Sequence, residues 1–259
     1  MTFNTLCDFC IKDGYDSFEL RQEQIKQVIT KNTPDLISLQ EMRTGSQVEY
    51  IFKTLDHYEL IYKDGFIMSY ADAAIAINKN IFKVLDHGFK WLGPNNGGFS
   101  FGWKLALPRI LVWTKVMHKE SKKEFLFIGS HFDNRVENLL GSAKLVNKMI
   151  ETKNLPVIFA ADTNSNTDFK GYKKLVSDQL LNSFDIDSKN KTITSNDPKD
   201  LCYLRKGDEF PECRVDHILY SKESIFKPIH WKILTDRFGN KKRFPSDHRP
   251  VITRFILND

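Results

Sequence analysis

Apolar positions along the chain recur with two periods, and the alternation between them lays out the fold. From Ser17 to Lys31 the helical period holds, with Ile25, Val28 and Ile29 on one face, and Pro34 stops it. Asp35-Leu36-Ile37-Ser38-Leu39-Gln40 reads as an apolar strand ending at Glu41. Val48, Ile51, Phe52 and Leu55 then keep i, i+3, i+4, i+7 spacing, so a second helix starts near Thr44 or Ser46.

The texture changes to strands over Tyr58–Tyr62, Ala73–Ile77, Phe82–Phe89 and Ile110–Val116. Glu124 to Ser130 is another strand, ending at His131, and a helix follows over Glu137–Glu151. Pro156–Ala161 is a strand ending at Asp162-Thr163-Asn164, with a short helix from about Asp168. Asp185 to Glu212 is polar and aperiodic; strands resume at Arg214–Tyr220, Ile229–Leu234 and Val251–Leu257. Met1–Asn4 resembles the tail of a strand: either the first strand is very short or the numbering starts after a removed segment. Helices and strands alternate in both halves with antiparallel-looking segments between them. That pattern fits two stacked sheets with helices outside, an α/β sandwich in one domain spanning 1–259.

Composition narrows this only a little. The 259 residues are 41% hydrophobic and carry 38 basic against 33 acidic side chains, a formal +5 that favours a polyanionic partner weakly. No apolar run reaches membrane-span length, no linker or repeat divides the chain, and no obligate protein partner is visible, so a monomer is expected. The compartment stays open between the cytoplasm and secretion with a leader outside this numbering. Cys7 and Cys10 have the spacing of half a zinc site, but Cys202 and Cys213 lie too far apart to complete it. Free thiols, or a Cys202–Cys213 disulfide in an exported protein, are the expected states.

The loop Leu92-Gly93-Pro94-Asn95-Asn96-Gly97-Gly98 is glycine-rich but lacks the lysine and the strand–loop–helix setting of a phosphate cradle. It reads as a mobile rim whose aromatics, Trp91, Phe99, Phe101 and Trp103, pack it down more readily than they stack on bases.

Candidate chemistry sits at the strand ends. Asn4, Glu41, His131 and Asp162 fall at carboxyl ends of strands, while Asp216 and Asp247-His248 fall at or just before strand starts. In mixed sheets such ends are neighbours, so the six positions belong to one rim. Taken singly each has a dull reading, as an Asx turn or a first helical turn. As a set they are better read as chemistry.

Thr2-Phe3-Asn4, Leu39-Gln40-Glu41, Gly129-Ser130-His131, Asp162-Thr163-Asn164, Arg214-Val215-Asp216 and Ser246-Asp247-His248 resemble, in order, the motifs of the endonuclease/exonuclease/phosphatase superfamily. Pancreatic-type deoxyribonuclease, abasic-site endonucleases, neutral sphingomyelinases, inositol-polyphosphate phosphatases and deadenylases are in that group. Trp91-Leu92, Gly102-Trp103 and Pro108-Arg109-Ile110 resemble a bacterial branch of mostly unassigned substrate. The resemblance implies a four-layer α/β sandwich and Mg²⁺- or Mn²⁺-dependent phosphoester hydrolysis.

It further implies a metal site of Glu41 with Asn4 and Asp247, an Asp216–His248 pair, and Asp162 with Asn164 about the attacking water. His131 and Arg109 would donate to phosphate oxygens. Whether Asp162 or His248 takes the water proton stays open. The family's strand glutamate has at best Asp72 in its place, and the tyrosine after the paired aspartate is His217, read as facing the other side of its strand. His57, His87, His118 and His230 read as surface residues. Basic residues flank the motifs at Lys241-Lys242-Arg243 and at Lys170, Lys173 and Lys174, which reads either as an ordinary solvated lysine face or as favouring a polyphosphate or nucleic-acid substrate, with nucleic acid expected. The alternatives are a phosphatase or phosphodiesterase acting on an inositol phosphate or lipid headgroup, and a non-catalytic nucleic-acid-binding relative.

Overall fold

A computed structural model describes residues 1–10, 14–42, 44–63, 72–176, 179–186, 214–222 and 224–258. Its strands are β1 (Thr2–Asn4), β2 (Leu36–Gln40), β3 (Tyr58–Tyr62), β4 (Ala73–Asn78), β5 (Phe82–Trp91), β6 (Ile110–His118), β7 (Glu124–His131), β8 (Val157–Asp162), β9 (Leu180–Asn182), β10 (Asp216–Ser221), β11 (Phe226–Ile233) and β12 (Val251–Leu257). Its α-helices are α1 (Phe18–Asn32), α2 (Gly45–Phe52), α3 (Val136–Lys153) and α4 (Lys170–Val176). The short β9 and the 3₁₀ turn Ser183–Ile186 after it carry too little periodicity to be predicted. Cys202, Cys213 and residues 187–212 of the polar stretch lie outside the described residues.

Two six-stranded mixed sheets form, in the orders β11-β12-β1-β2-β4-β3 and β5-β6-β7-β8-β10-β9. Alternation along the strands builds three cores. Phe125 and Phe127 of β7 face the other sheet, packed with Ile75, Val112, Ile158 and Ile218. Leu126 and Ile128 face outward onto Leu139, Ala143 and Val146 of α3. On the opposite outer face, Ile25, Val28 and Ile29 of α1 and Val48 and Ile51 of α2 cover Ile37 and Leu39. The result is the expected four-layer sandwich, helix–sheet–sheet–helix. At Gly129 the sheets come so close that a Cβ would meet Ser38 Oγ at 2.6 Å, so only glycine fits there.

Local sequence sets the helix ends. Thr44 and Gln47 form a capping box at the start of α2. Helix α1 ends in left-handed Thr33, whose N–H bonds Ile29 O, because the following Pro34 disfavours further helix. Strand directions then place the site. β1 runs parallel to β2, and β7 parallel to β8, so four strands deliver their carboxyl ends to the same end of the sandwich.

Candidate active site

Strand register lines up the acids and imidazoles before any side chain is considered. His131 is opposite Asp162 across the parallel β7–β8 pair, and Asp162 is opposite Asp216 across the antiparallel β8–β10 pair. From the other sheet, Asn4 pairs with Gln40, the residue before Glu41. The two sheets are stitched together here by Asn4, whose Nδ2 donates to Glu41 Oε1 at 3.0 Å and to Asp162 Oδ2 at 2.9 Å. Ser246 Oγ donates to Asn4 O at 2.7 Å and accepts from His248 N–H at 3.1 Å, which fixes the Asp247-His248 turn against β1.

Glu41, Arg109, His131, Asp162, Asn164, Asp247 and His248 line one cleft of 380 Å³ together with Leu6, Cys10, Leu107, Asp133, Asn134 and Arg135. Asn4 and Asp216 lie directly behind it, in hydrogen bonds to Asp162 and His248. All nine expected site residues therefore come together at one rim. Leu6 (φ 58), Glu41 (φ 63) and Asn164 (φ 47) each sit in the left-handed region, a strained conformation for residues with side chains, and all three line this cleft.

Three charged groups govern the pocket floor. His248 Nδ1 lies 2.7 Å from Asp216 Oδ2 and 3.8 Å from Asp162 Oδ2. Burial pushes the His248 imidazole down, but Asp216 and Asp162 outweigh it and hold it well above its ordinary value. Burial raises Asp216 to about 6 against the pull of His248. Both shifts leave the shared proton on the imidazole, which holds it more tightly than the Asp216 carboxyl does. Two carboxylates facing one ring decide for the imidazolium. Burial also raises Asp162, yet His248, His131, the Asn4 amide and the Asn164 N–H bring it below the usual carboxylate range.

His131 is held from behind. Its Nδ1 lies 2.9 Å from Asp72 Oδ1 and 2.6 Å from Arg109 Nη1, and Arg109 Nη1 donates to the same Asp72 oxygen at 2.8 Å. Burial and Arg109 push the His131 imidazole down, but Asp72 and Asp162 raise it overall. Asp72, raised by burial, ends lowered because Arg109 and His131 face it. The shorter acid thus orients both expected phosphate donors. One arm of the Arg109 fork is already committed to it.

Glu41 presents both carboxylate oxygens to donors, Oε1 to Asn4 Nδ2 and Oε2 to Cys7 N–H at 2.9 Å. Glu41, oriented by those N–H groups, and Asp247 in the lining of the same cleft offer carboxylate oxygens, which fit a hard divalent cation. Asp162, Asp216 and His248 form a second group close enough to hold an ion.

Several residues that shape the cleft carry no motif. Arg21 of α1 is buried and donates to Thr5 O at 2.5 Å, Leu6 O at 2.9 Å, Cys7 O at 3.0 Å and Pro245 O at 3.4 Å. It clamps the two loops that follow Asn4 and precede Asp247. Its apolar helix neighbours Ile25, Val28 and Ile29 were the signal that put that face inward. Arg135 reaches the cleft from the N-terminus of α3 while bonding both Asp133 oxygens.

Cys7 and Cys10 correct the sequence expectation of free thiols: they form a disulfide. Left-handed Leu6 and the Cys10 N–H to Cys7 O turn bring their Cα atoms to 5.1 Å, within bridging range. His217 faces away from the cleft, as expected of its strand alternation, and is buried against Tyr172 with Nε2 3.0 Å from Ser165 O. His87 and His230 are exposed, and His57 and His118 are half-buried. Lys241 and Lys242 are exposed, but Arg243 donates to Asp16 Oδ1 and Tyr15 O.

The Endonuclease/Exonuclease/phosphatase family matches residues 1–248. An uncharacterised protein of Acanthamoeba polyphaga mimivirus is 25% identical over 258 residues, covering 92% of each chain. A solved mannosyl-6-phosphatase of Bacteroides thetaiotaomicron has a TM-score of 0.78 at 26% identity, covering 99% of this chain and 98% of that one. The exoribonuclease subunit Ccr4 of the Kluyveromyces lactis CCR4-Not complex is 21% identical over 336 residues, covering all of this chain and 41% of that protein.

Proposed function

Because the chain belongs to the endonuclease/exonuclease/phosphatase family, whose members are phosphoesterases and usually metal-dependent, we propose that it hydrolyses a phosphodiester of DNA or RNA. The observation that carries the chemistry is the Asp162 carboxylate, fixed by Asn4 and the Asn164 N–H and facing two imidazoles. A lowered Asp162 stays ionised and can accept the proton of an attacking water, with Asn164 beside it. A raised His248, backed by Asp216, stays charged and offers its other ring nitrogen as a donor to the phosphate. His131 and Arg109, steadied by Asp72, would hold a second phosphate oxygen.

Glu41, Asp247 and Asn4 would hold Mg²⁺ or Mn²⁺, which when bound neutralises phosphate charge and stabilises the leaving oxygen. Nucleic acid as substrate is supported by the exposed Lys241 and Lys242, by Arg135 at the cleft and by the similarity to an exoribonuclease. A second reading, a phosphatase for a small sugar or inositol phosphate, is favoured by the mannosyl-6-phosphatase at 26% identity and by a cleft of only 380 Å³.

The test is hydrolysis of plasmid DNA, RNA, bis-p-nitrophenyl phosphate, p-nitrophenyl phosphate and sugar and inositol phosphates with Mg²⁺, Mn²⁺ or EDTA. Nucleic acid and the diester should be cleaved with metal and spared in EDTA. Glu41→Gln should weaken metal binding at least about tenfold and leave the fold intact. Undiminished turnover in EDTA overturns the metal-dependent reading. Activity confined to monoesters transfers the assignment to the phosphatase.

A further inference from the structure

Hydrolysis makes no use of the Cys7–Cys10 bridge, yet that bridge stands at the cleft. Cys10 lines the cavity, half-buried, and the Cys7 N–H holds Glu41 Oε2 at 2.9 Å. The two sulfurs and a Glu41 carboxylate oxygen all lie within 4.8 Å of one another. The backbone beneath them is anchored independently of the S–S bond. Arg21 binds the carbonyls of Thr5, Leu6 and Cys7, and the Cys10 N–H bonds Cys7 O at 3.2 Å. Opening the bridge therefore frees the sulfurs while the loop carrying them stays in place.

We propose that the reduced pair, with Glu41, is a binding site for a thiophilic divalent cation such as Zn²⁺, and that its occupation takes Glu41 away from the hard-metal site. The redox step is thiol–disulfide exchange with a dithiol reductant. The S–S bond breaks, two electrons and two protons arrive as two S–H groups, and the dithiol leaves as its own disulfide. Zn²⁺ then binds two thiolates and one carboxylate oxygen, and the two thiol protons pass to solvent.

Bond lengths of roughly 2.3 Å to sulfur and 2.0–2.2 Å to oxygen require tetrahedral ligand atoms about 3.5–3.8 Å apart. Side-chain rotation on Cα atoms 5.1 Å apart can open the sulfurs to that separation, and the Glu41 oxygen is already within reach. Chemical preference sorts the two sites. Thiolates select zinc over magnesium, whereas the carboxylates of Glu41 and Asp247 offer oxygen alone. One carboxylate serves both, so the soft ion displaces the hard one by occupying their shared ligand.

Cobalt(II) reports this site with no substrate present, so the outcome is independent of the hydrolase assignment. After reduction by a phosphine, the full chain should bind one equivalent of Co²⁺ with a thiolate-to-cobalt charge-transfer band, and Zn²⁺ should bleach it. The oxidised protein and Cys7→Ser/Cys10→Ser should give no band, while Cys202→Ser/Cys213→Ser should keep it. Glu41→Gln should retain the sulfur band with cobalt bound at least about tenfold more weakly. A reduced wild-type chain without the band overturns the proposal, as does a band that survives Cys7→Ser/Cys10→Ser or disappears with Cys202→Ser/Cys213→Ser. Unchanged cobalt affinity in Glu41→Gln removes Glu41 from the site and with it the competition.

Discussion

The sandwich is open at both ends, and the larger opening is not where the candidate site residues gather. At the end where β2 and β7 begin, a cavity of 720 Å³ lies between the sheets, walled by Phe82, Phe125, Phe127, Ile158 and Ile218 with Lys232 and Arg254 among its polar residues. Among the described residues of its lining, Asp35 is the one carboxylate. At the opposite end a cleft of 380 Å³ gathers Glu41, Asp133, Asp162 and Asp247 with His131 and His248. Strand direction makes the difference. The parallel pairs aim four carboxyl ends at the cleft, and the residues that leave those ends are released from the strand's strict alternation. Space alone marks no site; groups that perturb one another do.

The sharpest way to break that contrast is to delete chemistry at one end and charge at the other. His248→Ala and Asp216→Ala should each lower kcat on the order of 10²–10⁴-fold, and the double variant should be little worse than either if they act as one unit. Lys232→Ala and Arg254→Ala at the far end should stay within about twofold, as surface changes do. Comparable losses at both ends would place the reaction between the sheets instead.

Rigidity should divide the same way. Arg21→Ala leaves the buried carbonyls of Thr5, Leu6 and Pro245 without their Arg21 donor, strips Cys7 O to its bond from the Cys10 N–H, and should cost about 3–5 kcal/mol in urea unfolding. Burial tempers the Arg21 charge, with Asp247 and Glu41 acting against that shift. An unchanged midpoint would show that the loops hold themselves.

Much of this was legible in the chain because its signals are local. Strand ends at Glu41, His131 and Asp162, the Thr44 cap and the reach of β3 and β12 all follow from period and punctuation. Arg21 was not legible, since its partners are backbone carbonyls, at Thr5, Leu6, Cys7 and the distant Pro245, and carbonyls leave no trace in a sequence. The Cys7–Cys10 bridge depended on a positive φ at Leu6, a residue with no preference for it. Asp72 looked too short to replace a glutamate; in place it serves Arg109 and His131 from one oxygen.

A buried imidazole behind the cleft gives a smaller, pH-dependent effect. Burial lowers His217 to about 4, with the Ser165 carbonyl pulling the other way. The folded chain therefore holds it neutral where the unfolded chain takes up a proton. Its contribution is full above pH of about 6.5 and is lost as pH falls toward about 4, on the order of 3 kcal/mol in all. Urea unfolding between pH 7 and pH 4 should show this slope in the wild type and a shallower one in His217→Gln. Equal slopes would mean the imidazole is charged in the fold.

The smallest expected effect concerns the surface beside the cleft and decides between the two substrate readings. Arg243 is engaged by Asp16 and Tyr15 O, so changing it would disturb the turn as well as the charge. Lys241→Ser/Lys242→Ser leaves that anchor intact and removes two exposed cations. If they contact backbone phosphates, KM on DNA should rise a few-fold and the salt slope should flatten by up to about 2, near 0.9 per phosphate contact. Turnover of bis-p-nitrophenyl phosphate should not move, because a small diester cannot span from the reacting phosphate to this turn. Should the double change slow the small substrate and spare DNA, the two lysines would belong to a headgroup pocket, and the cleft would be that of a phosphatase.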